Sequence, residues 1–596
     1  MTHKQAGTPI LLLMARDDRH PFDMYLEEIL LTEGYNCYDR RTDDVNVSAG
    51  ELAQYALVVF SSGAAAKMNQ EAVAAYMSGG GKVVVLKPPR DWATLFGLTT
   101  AGDKYSIAPD AYISVNTDHP WMGQLPAPDL QCPGENDIYA NEHAEVLAFT
   151  AGQLHQRSVF PAVALERTGH GAGVVFTYDL ADCIVLAHQG RAANASTGTN
   201  PDANRDGKFT ADDAFVGMRD FQLRHVPQSD VHQDILVRVI RGLTQDALPL
   251  PRLWHFPRSA PGVFFVNGDG DGMVWEDLLW VVDAIQPFGV KYTFYFMDRQ
   301  IEDFSREQVA EMVARGHDFG PHPWTGAMPG MAEWRSEVRG IVSRFKAKFG
   351  FQPTSLRSHS TVFPGWDETP RVFTECGLRL DTSFAAGVRW TSGYLNGSAL
   401  PAKFIDRNGN VLDCYEQSTI QTEDGTCSPK NQLPVATEDE ALELSRGLIR
   451  NTAEVFHGAY HPYFHPISLA GRGSVSCQRW FKGVLQATRD YGLPSVNAGE
   501  WLKFNDARRA VQIQQVVWNP HAGELTFEIS ARLPVAGLTV MLPPCGDRTP
   551  QSATMDREPL AVAPVAHERL GWSVVEMDLG AGASRSVAVH YATQSN

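Results

Sequence analysis

Ionisable side chains follow several hydrophobic runs in the middle of the sequence. The run "GVFFV" at 262–266 leads to Asp269 and Asp271, which are separated and flanked by glycines. Further candidates behind strand-like runs are His322, Arg357, His359, Asp381, His461 and His465. Carboxylates and imidazoles can bind a divalent metal and can transfer protons as general bases and acids. Singly, such residues are typical of turns and of buried core histidines, but their recurrence at successive strand ends predicts a functional site.

Residues 250–505 contain the elements that must position these side chains. Strand-like runs such as "GVFFV", "KYTFYFM" and "HDFGPH" alternate with helical segments such as "WEDLLWVVDAIQPFG" and "SREQVAEMVARG". Repeated units of strand and helix predict a (β/α) barrel or a large open sheet. In a barrel the carboxyl ends of the strands meet at one rim, so we expect the candidate residues to lie there.

Two further domains are predicted on either side, which makes the whole chain an α/β protein. In residues 1–245, apolar strands such as "PILLLMA", "YALVVFSS" and "KVVVLKP" alternate with helices, which predicts a parallel sheet covered on both faces. This pattern resembles the flavodoxin-like and class I glutamine amidotransferase-like folds. No cysteine lies in a nucleophile turn of the GxCxG kind, so we expect no catalysis there. In residues 508–596 the hydrophobic period becomes two, which predicts a small β-sandwich.

The stretch "DANRDGKFTADD" at 202–213 has the spacing of a calcium-binding loop. Gly207 occupies position six, where such loops turn sharply. The predicted ligands at positions one, three, five, seven and twelve are Asp202, Asn204, Asp206, Lys208 through its carbonyl, and Asp213. The alternative is a solvated turn rich in Asp and Asn. The spacing also resembles one dockerin repeat, but a second copy is absent from the sequence. We therefore predict a structural calcium ion and no cohesin partner.

Composition limits the classes of partner. The 596 residues carry a formal net charge of −18 that is spread along the sequence, which argues against nucleic acid and favours an uncharged or cationic substrate. The apolar run at 9–15 is followed directly by charges, so we interpret it as a buried strand rather than a secretory signal. No segment is apolar for long enough to predict a membrane span.

The order of the polar motifs is similar to that of the polysaccharide deacetylase family, which has the NodB-homology domain. The matching segments, in order, are "VNGDGDG", "GHDFGPH", "LRSHS", "LDTSFAAGVRW" and "YHP". The resemblance covers about 250 residues. It implies a distorted (β/α) barrel, a divalent transition metal that we expect to be zinc, and an acetylated glycan polymer as substrate.

The resemblance also implies a role for each matching residue. Asp271 and His322 would bind the metal and Asp269 would be the general base. Arg357 would orient that base, and His461 would be the general acid. The residues assigned to the substrate are Trp324, Trp390 and Asp381. A metal of this kind polarises a carbonyl and acidifies water, and a protonated imidazole can supply the proton that a departing amine needs.

The sequence departs from the family pattern at two points. Gly270 separates two acids that are adjacent in the family, so Asp269 and Asp271 could exchange roles, or Asp269 could only cap the turn. Gly326 stands where the family has a second metal-binding histidine, four residues after His322. We predict that His359 replaces this ligand. An incomplete, inactive site and a rearranged ligand set are the alternatives.

Three functional hypotheses follow from these motifs. The first is a metal-dependent deacetylase of N-acetylated polysaccharide. The second is a carbohydrate-binding protein on a degenerate deacetylase scaffold, and the third is a hydrolase of small amide or imide bonds. A polymeric substrate favours the cell envelope or exterior, whereas the absence of a recognisable signal favours the cytoplasm, so the location stays open. The sequence leaves the oligomeric state open as well.

Overall fold

The computed structural model describes residues 7–17, 19–101, 106–107, 111–152, 156–197, 202–385, 392–426, 437–473, 476–565 and 571–593. The chain forms two compact units, and both are discontinuous in sequence. The first unit comprises Met1–Val185, Val231–Ser259 and Phe504–Asn596, and the second comprises Leu186–Asp230 and Ala260–Lys503. The division into three domains stays a prediction. Within the described residues, no helix combines the length and hydropathy that a membrane crossing requires.

A nine-stranded sheet dominates the first unit. Its strands, in spatial order, are Tyr38–Thr42, Ile10–Met14, Leu57–Phe60, Lys82–Leu86, Gly171–Phe176, Arg157–Thr168, Glu145–Ala151, Ala111–Val115 and Asp129–Cys132. The first five pair in parallel, and four of them are the apolar runs from which a parallel sheet was predicted. The other four strands pair antiparallel, so the prediction of a parallel sheet is confirmed for only part of it. In Ala111–Val115 fully and partly buried residues alternate, which is typical of a strand with one packed face.

Helices cover the parallel part of this sheet. Tyr25–Thr32 buries Leu26, Ile29 and Leu30 on one side, and the Ser61 hydroxyl caps the start of Ser62–Lys67. The remaining helices that belong wholly or partly to this unit are Ala49–Leu52, Gln70–Ser78, Leu180–Gln189, Gln228–Thr244 and Ala498–Arg509. Two small antiparallel ladders join Leu98–Thr100 to Tyr139–Asn141 and Ser106–Ile107 to Asn136–Asp137.

The last segment of the first unit contains two antiparallel sheets. One has the order Val511–Asn519, Glu524–Ala531, Ala583–Thr593, Arg548–Met555 and Glu558–Leu560, and the other has the order Arg252–Leu253, Val535–Leu542, Ser573–Leu579 and Ala563–Pro564. The predicted period-two pattern is present, since Leu525, Phe527 and Ile529 are all buried. Because Arg252–Leu253 pairs with Val535–Leu542, residues between the two segments of the second unit share a sheet with residues that follow its last segment.

The second unit contains three sheets built mainly from short parallel strands. Val263–Phe265 lies between Ala459–Tyr460 and Ser495–Val496. The second sheet has the order Asp318–Pro321, Thr293–Phe296, Asn267–Asp269, Pro462–Tyr463 and Gln421–Thr422. The third has the order Ser355–Leu356, Leu380–Asp381, Val411–Glu416 and Ala402–Ile405, with its last pair antiparallel. Parallel pairing places the carboxyl ends of Asn267–Asp269, Thr293–Phe296 and Asp318–Pro321 at one edge.

Amphipathic helices pack around these strands. Met331–Phe349 buries Trp334, Val338, Ile341 and Phe345 on the face that the sequence predicts, and Gly350 ends it with φ 83°. The other helices are Trp275–Ile285, Asp298–Asp303, Arg306–Ala314, Glu368–Glu375, Glu423–Thr426, Glu438–Asn451, Pro466–Leu469 and Gln478–Asp490. Short 3₁₀ turns occur at Arg90–Phe96, Ala211–Phe215, Phe221–Leu223, Pro257–Ser259, Gln286–Phe288 and His359–Thr361, and a π-helical turn at Thr452–Phe456.

Candidate active site

Close packing of the backbone explains why glycines flank the two acids. Asp269 ends the strand Asn267–Asp269, and Asp271 follows it. A Cβ atom at Gly268 would lie 1.9 Å from the carbonyl oxygen of Phe464. At Gly270 it would lie 2.9 Å from the carbonyl oxygen of Tyr295. Only glycine lets these backbones approach so closely, and the two carboxylates then project from a tightly packed strand end.

The three predicted metal ligands lie together. One ligand atom from each of Asp271, His322 and His359 falls within 4.8 Å of the others. His359 Nε2 is 3.0 Å from one oxygen of Asp271, and His322 Nε2 is 3.5 Å from the other. His322 Nδ1 is 2.6 Å from the carbonyl oxygen of Arg357, so Nδ1 donates the proton and Nε2 is left to bind a metal.

The donor set fits a divalent transition metal. His322 Nε2 and Asp271 Oδ1 are buried without a hydrogen-bond partner, as is Asp269 Oδ1. Two ligands on one tetrahedral zinc ion lie about 3.3–3.6 Å apart, which is close to the separations seen here. Burial by itself would raise the pKa of Asp271, but the adjacent imidazoles of His322, His359 and His465 hold it far below its usual range. Asp271 therefore stays anionic.

Asp269 is held from two sides. It is 4% exposed, and its Oδ2 accepts a hydrogen bond of 2.7 Å from the Tyr463 hydroxyl. The Arg357 Nε atom lies 3.4 Å from its Oδ1. Arg357 is itself fixed, because its Nη1 donates to the Thr382 carbonyl at 2.6 Å and to the Thr419 hydroxyl at 2.7 Å. The carboxylate is thus oriented by a buried cation.

His465 completes the other side of the cluster. Its Nε2 is 2.6 Å from the Tyr463 hydroxyl and 3.6 Å from Asp271 Oδ2, and its Nδ1 contacts Glu423. Burial would lower the pKa of His465, but the charge of Glu423 and the contact with Asp271 raise it well above its ordinary value. The sequence pattern had offered His465 beside His461, yet the roles of Tyr463 and Glu423 were missed. Glu423 precedes His465 by 42 residues, so only the fold brings them together.

His461 has different surroundings. Its Nε2 is 2.6 Å from the side-chain nitrogen of Asn267, and its Nδ1 is 3.0 Å from the carbonyl oxygen of Ser418. Its ring stacks on Phe265 at a centroid distance of 4.5 Å. Burial and the nearby charge of Arg357 lower the pKa of His461 to about 3, so the imidazole is neutral. Both nitrogens are engaged in holding strands, which argues against its predicted role as general acid.

The residues assigned to the substrate differ in position. Trp324 is 41% exposed, and its ring centroid is 4.3 Å from that of His359. Trp390 lies outside the described residues. Asp381 is fully buried, and its Oδ1 accepts hydrogen bonds from the backbone and hydroxyl of Ser383. Burial raises the pKa of Asp381 to about 6. Asp381 therefore supports neighbouring backbone, and of the two residues of this set that the structure describes, Trp324 is the one exposed to solvent.

The backbone conformation of Gly326 explains why no histidine stands four residues after His322. Its φ is 103°, a conformation that residues with side chains rarely adopt, and there is open space where a Cβ atom would lie. His359 is positioned by a hydrogen bond from its backbone nitrogen to the Pro323 carbonyl. The imidazole of His359 thus approaches Asp271 from the segment that follows the arginine.

The predicted calcium loop folds around its own acidic side chains. Asp202 accepts from the Gly207 amide at 2.6 Å, and Asp213 accepts from the amides of Asn204 and Thr210. Further bonds of the loop run from the amides of Asp206 and Lys208 to the side chains of Asn204 and Asp206. The second oxygen of Asp202 is buried without a hydrogen-bond partner. Calcium binding here stays a prediction.

Comparison with known proteins found solved structures only. No protein-family model and no curated protein matches the sequence. The solved structures to which the chain is similar include polysaccharide deacetylases of carbohydrate esterase family 4 (CE4). This is the family that the motif order resembles.

Three of these structures illustrate the extent of the similarity. A Mycobacterium smegmatis protein assigned as a polysaccharide deacetylase is 13% identical over 43% of this chain and 93% of its own, with a TM-score of 0.33. A CE4 family pseudoenzyme from Bacillus anthracis is 14% identical over 41% and 66%, with a TM-score of 0.27. A family 4 carbohydrate esterase from Streptomyces lividans is 13% identical over 39% and 91%, with a TM-score of 0.25. These TM-scores are low, so the function is inferred below from the residues of the site.

Proposed function

We propose that this protein is a metal-dependent hydrolase that removes acetyl groups from N-acetylated polysaccharide. The observation that carries the proposal is the convergence of Asp271, His322 and His359 within 4.8 Å. Beside them lies Asp269, a carboxylate oriented by Arg357 and Tyr463. A ligand set with an adjacent oriented base is what hydrolysis of an unactivated amide requires.

We interpret the three sheets of the second unit as parts of one distorted (β/α) barrel. The parallel strands Asn267–Asp269, Thr293–Phe296 and Asp318–Pro321 support this interpretation, because each is followed by a helix or a site residue. The site then occupies the carboxyl end of the barrel, where barrel enzymes carry their catalytic groups. The flavodoxin-like sheet and the terminal β-sandwich would serve to bind or position the polymer.

Asp271, His322 and His359 would hold the metal, and we expect zinc. Such an ion supplies Lewis acidity, which polarises an acetyl carbonyl and acidifies water. His322 is fully buried and fixed through its Nδ1, whereas His359 has a side chain that is 21% exposed. The open side of the cluster is therefore the side of His359 and of the exposed Trp324 ring.

Asp269 would act as the general base. Tyr463 donates to its Oδ2, and its Oδ1 has no hydrogen-bond partner, so this second oxygen is the acceptor for a proton from the attacking water. Arg357, whose Nε lies 3.4 Å from Oδ1, fixes the plane of the carboxylate. The two acids thus keep the roles expected from the family resemblance despite the glycine between them.

His465 would act as the general acid in place of His461. Its Nε2 already faces the Tyr463 hydroxyl and Asp271, while Glu423 stabilises the protonated ring from the other side. A protonated imidazole can deliver a proton to the amine nitrogen as the C–N bond breaks, which avoids expulsion of an amide anion. His461 would be a positioning residue that links Asn267 to Ser418.

A neutral sugar is the substrate that best suits the surroundings. The exposed Trp324 ring next to His359 offers an apolar face on which a pyranose ring can pack. The net charge of −18 would repel an anionic polymer but not an uncharged N-acetylated one.

Acetate release and metal content together test the proposal. Purified protein reconstituted with zinc is expected to release acetate from soluble N-acetylated glycan oligomers. His359→Ala is expected to lower zinc affinity by at least about tenfold and to reduce acetate release. Loss of a residue that merely hydrogen-bonds a metal ligand typically lowers metal affinity by about tenfold or more, and loss of a ligand should cost at least as much. His225→Ala, a partly buried histidine of the same unit, is the matched control.

Two results would contradict the proposal. If the His322→Ala and His359→Ala variants bind as much zinc as wild-type protein, these residues hold no metal. Zinc-loaded protein that cleaves only small amides, and no acetylated glycan of any length, would refute the polysaccharide substrate.

A further inference from the structure

A second cluster of metal-ligating side chains lies in the first unit. Its members are His20, Asp179 and Asp182, and one ligand atom from each falls within 4.8 Å of the others. His20 follows the strand Ile10–Met14, and the two aspartates follow Gly171–Phe176. The cluster therefore lies at the carboxyl edge of the parallel part of the nine-stranded sheet.

The topology of this sheet makes that edge a binding position. Ile10–Met14 lies between Tyr38–Thr42 and Leu57–Phe60 in the sheet. The second strand of the chain is therefore on one side of it and the third on the other, so the strand order reverses here. In open α/β sheets, the loops on either side of such a reversal diverge and leave a crevice where ligands bind. His20 lies in the loop that leaves this strand.

The contacts within the cluster leave room for a metal ion. His20 Nδ1 is 3.1 Å from Asp179 Oδ2, an ion-pair distance at which the atoms are not aligned for a hydrogen bond. Asp179 is held by other donors, namely the Ser62 hydroxyl at 2.6 Å and the Ala181 amide at 3.0 Å. Two ligands of one tetrahedral ion lie about 3.3 Å apart, which matches this separation.

Buried oxygens without partners supply an independent indication. Asp23 is 1% exposed; its Oδ2 accepts from the Ser61 hydroxyl at 2.8 Å and the Gly63 amide at 2.6 Å, whereas its Oδ1 has no hydrogen-bond partner. Asp182 Oδ1 is likewise buried without one. Asp23 interacts with the charges of both Asp179 and His20. A buried carboxylate oxygen without a partner is costly, and a bound cation would compensate the unpartnered oxygens of Asp23 and Asp182.

We propose that His20, Asp179 and Asp182 bind a divalent transition-metal ion, with Asp23 beside them as a further acceptor. An imidazole among carboxylates favours zinc or manganese over calcium or magnesium, which prefer oxygen alone. The charge of Lys87 acts on Asp182, but its ammonium forms an ion pair with Glu135 at 3.2 Å. All residues of this cluster belong to the first unit, whereas those of the candidate active site belong to the second.

Zinc stoichiometry of the full-length protein tests the proposal. The background is the His322→Ala/His359→Ala variant, which lacks two ligands of the candidate active site. After treatment with chelator and equilibrium dialysis against zinc alone, this background is expected to retain one equivalent by elemental analysis. Adding Asp182→Asn or His20→Ala is expected to remove that equivalent. The matched control is His119→Ala, because His119 lies 3.2 Å from a single carboxylate and has a side chain 11% exposed, against 13% for His20.

Chemical protection of wild-type protein guards against variants that misfold. Diethylpyrocarbonate modification of His20, followed by mass spectrometry of its peptide, is expected to fall at least about fivefold when zinc is added, whereas modification of His119 is unchanged. A background variant without bound zinc, or zinc retained after both substitutions in the cluster, would overturn the proposal. Equal modification of His20 with and without zinc would do so as well. Loss of the hydrolase activity alone would leave this site unaffected, so the two proposals fail separately.

Discussion

Four side chains of the candidate active site form a continuous series of contacts. Asp269 accepts from Tyr463, Tyr463 contacts His465, and His465 contacts Glu423. Each group limits the protonation state of the next, because a tyrosine that donates to the carboxylate must accept from the imidazole. His465 is therefore a cation in this arrangement, with both ring nitrogens donating.

Substitution of His465 tests its role as the proton donor. His465→Gln is expected to lower kcat for an N-acetylated glycan by about 100- to 10,000-fold with zinc content unchanged. The same variant should lose far less activity on an aryl acetate, because a phenolate leaves without a proton. Steady-state kinetics on both substrates distinguishes an acid from a merely structural residue.

His461→Gln provides the comparison. Loss of the His461 imidazole removes its hydrogen bonds with Asn267 and Ser418. We therefore expect lower thermal stability and similar reductions of kcat on both kinds of substrate. A selective loss on the glycan in His461→Gln, together with an unselective effect in His465→Gln, would return the acid role to His461.

At the scale of single elements, the strand Asn267–Asp269 is what fixes the acids in space. It ends at Asp269, two residues before Asp271, and it pairs with Thr293–Phe296 on one side and with Pro462–Tyr463, the strand of Tyr463, on the other. Its middle residue, Gly268, contacts the Phe464 carbonyl so closely that a side chain has no room. The strand can therefore pack in the second unit only if this position remains glycine.

Gly268→Ala is expected to destabilise the second unit by about 1–3 kcal/mol or more, because the added methyl group would overpack a rigid backbone contact. The measurement is chemical denaturation followed by fluorescence. Gly447→Ala is the matched control: Gly447 lies inside the helix Glu438–Asn451 with open space around its Cβ position, so alanine there should stabilise by about 0.5–1 kcal/mol. Equal effects of the two substitutions would contradict this account of the strand.

At the scale of the whole molecule, the calcium-loop sequence belongs to the same unit as the candidate active site. The Phe209 amide donates to the Ala327 carbonyl at 2.9 Å, and the Phe363 amide donates to the Phe209 carbonyl at 2.7 Å. These partners lie close in sequence to Trp324 and His359. An ordered calcium loop would therefore stabilise the segments that carry Trp324 and His359.

Calcium is expected to stabilise the second unit alone. At a free concentration 100 times the dissociation constant, binding contributes about 2.7 kcal/mol to the free energy of unfolding. Hydrogen-exchange mass spectrometry should show increased protection at 202–213 and 359–363, with no change in the nine-stranded sheet. Asp206→Ala should abolish the effect. Asp212→Asn, at a position of the loop that does not supply a ligand, should retain it, and protection that is lost equally in both variants would refute the calcium assignment.

The sequence predicted which residues of the candidate site would lie together, because ionisable side chains recur behind successive strands. The acids, His322, Arg357 and His359 follow strands directly, and parallel strands bring such positions to one edge whatever the details of packing. His465 and Glu423 were not predictable as partners, because no local pattern relates residues on separate elements. The antiparallel half of the large sheet was missed for a similar reason: strand direction depends on which distant strand supplies the hydrogen bonds.

The amino-acid sequence by itself determined the mixed α/β class, the alternation of strands and helices, and the identity of the groups that can bind metal. These follow from local hydrophobic periodicity and from side-chain chemistry, which act over a few residues. Only the tertiary structure decided that His465 rather than His461 contacts Asp271, that Asp381 is buried, and that residues 504–596 join the unit of the N-terminal sheet. Those outcomes depend on contacts between segments far apart in the chain, where burial and close packing choose among partners that the sequence leaves equivalent.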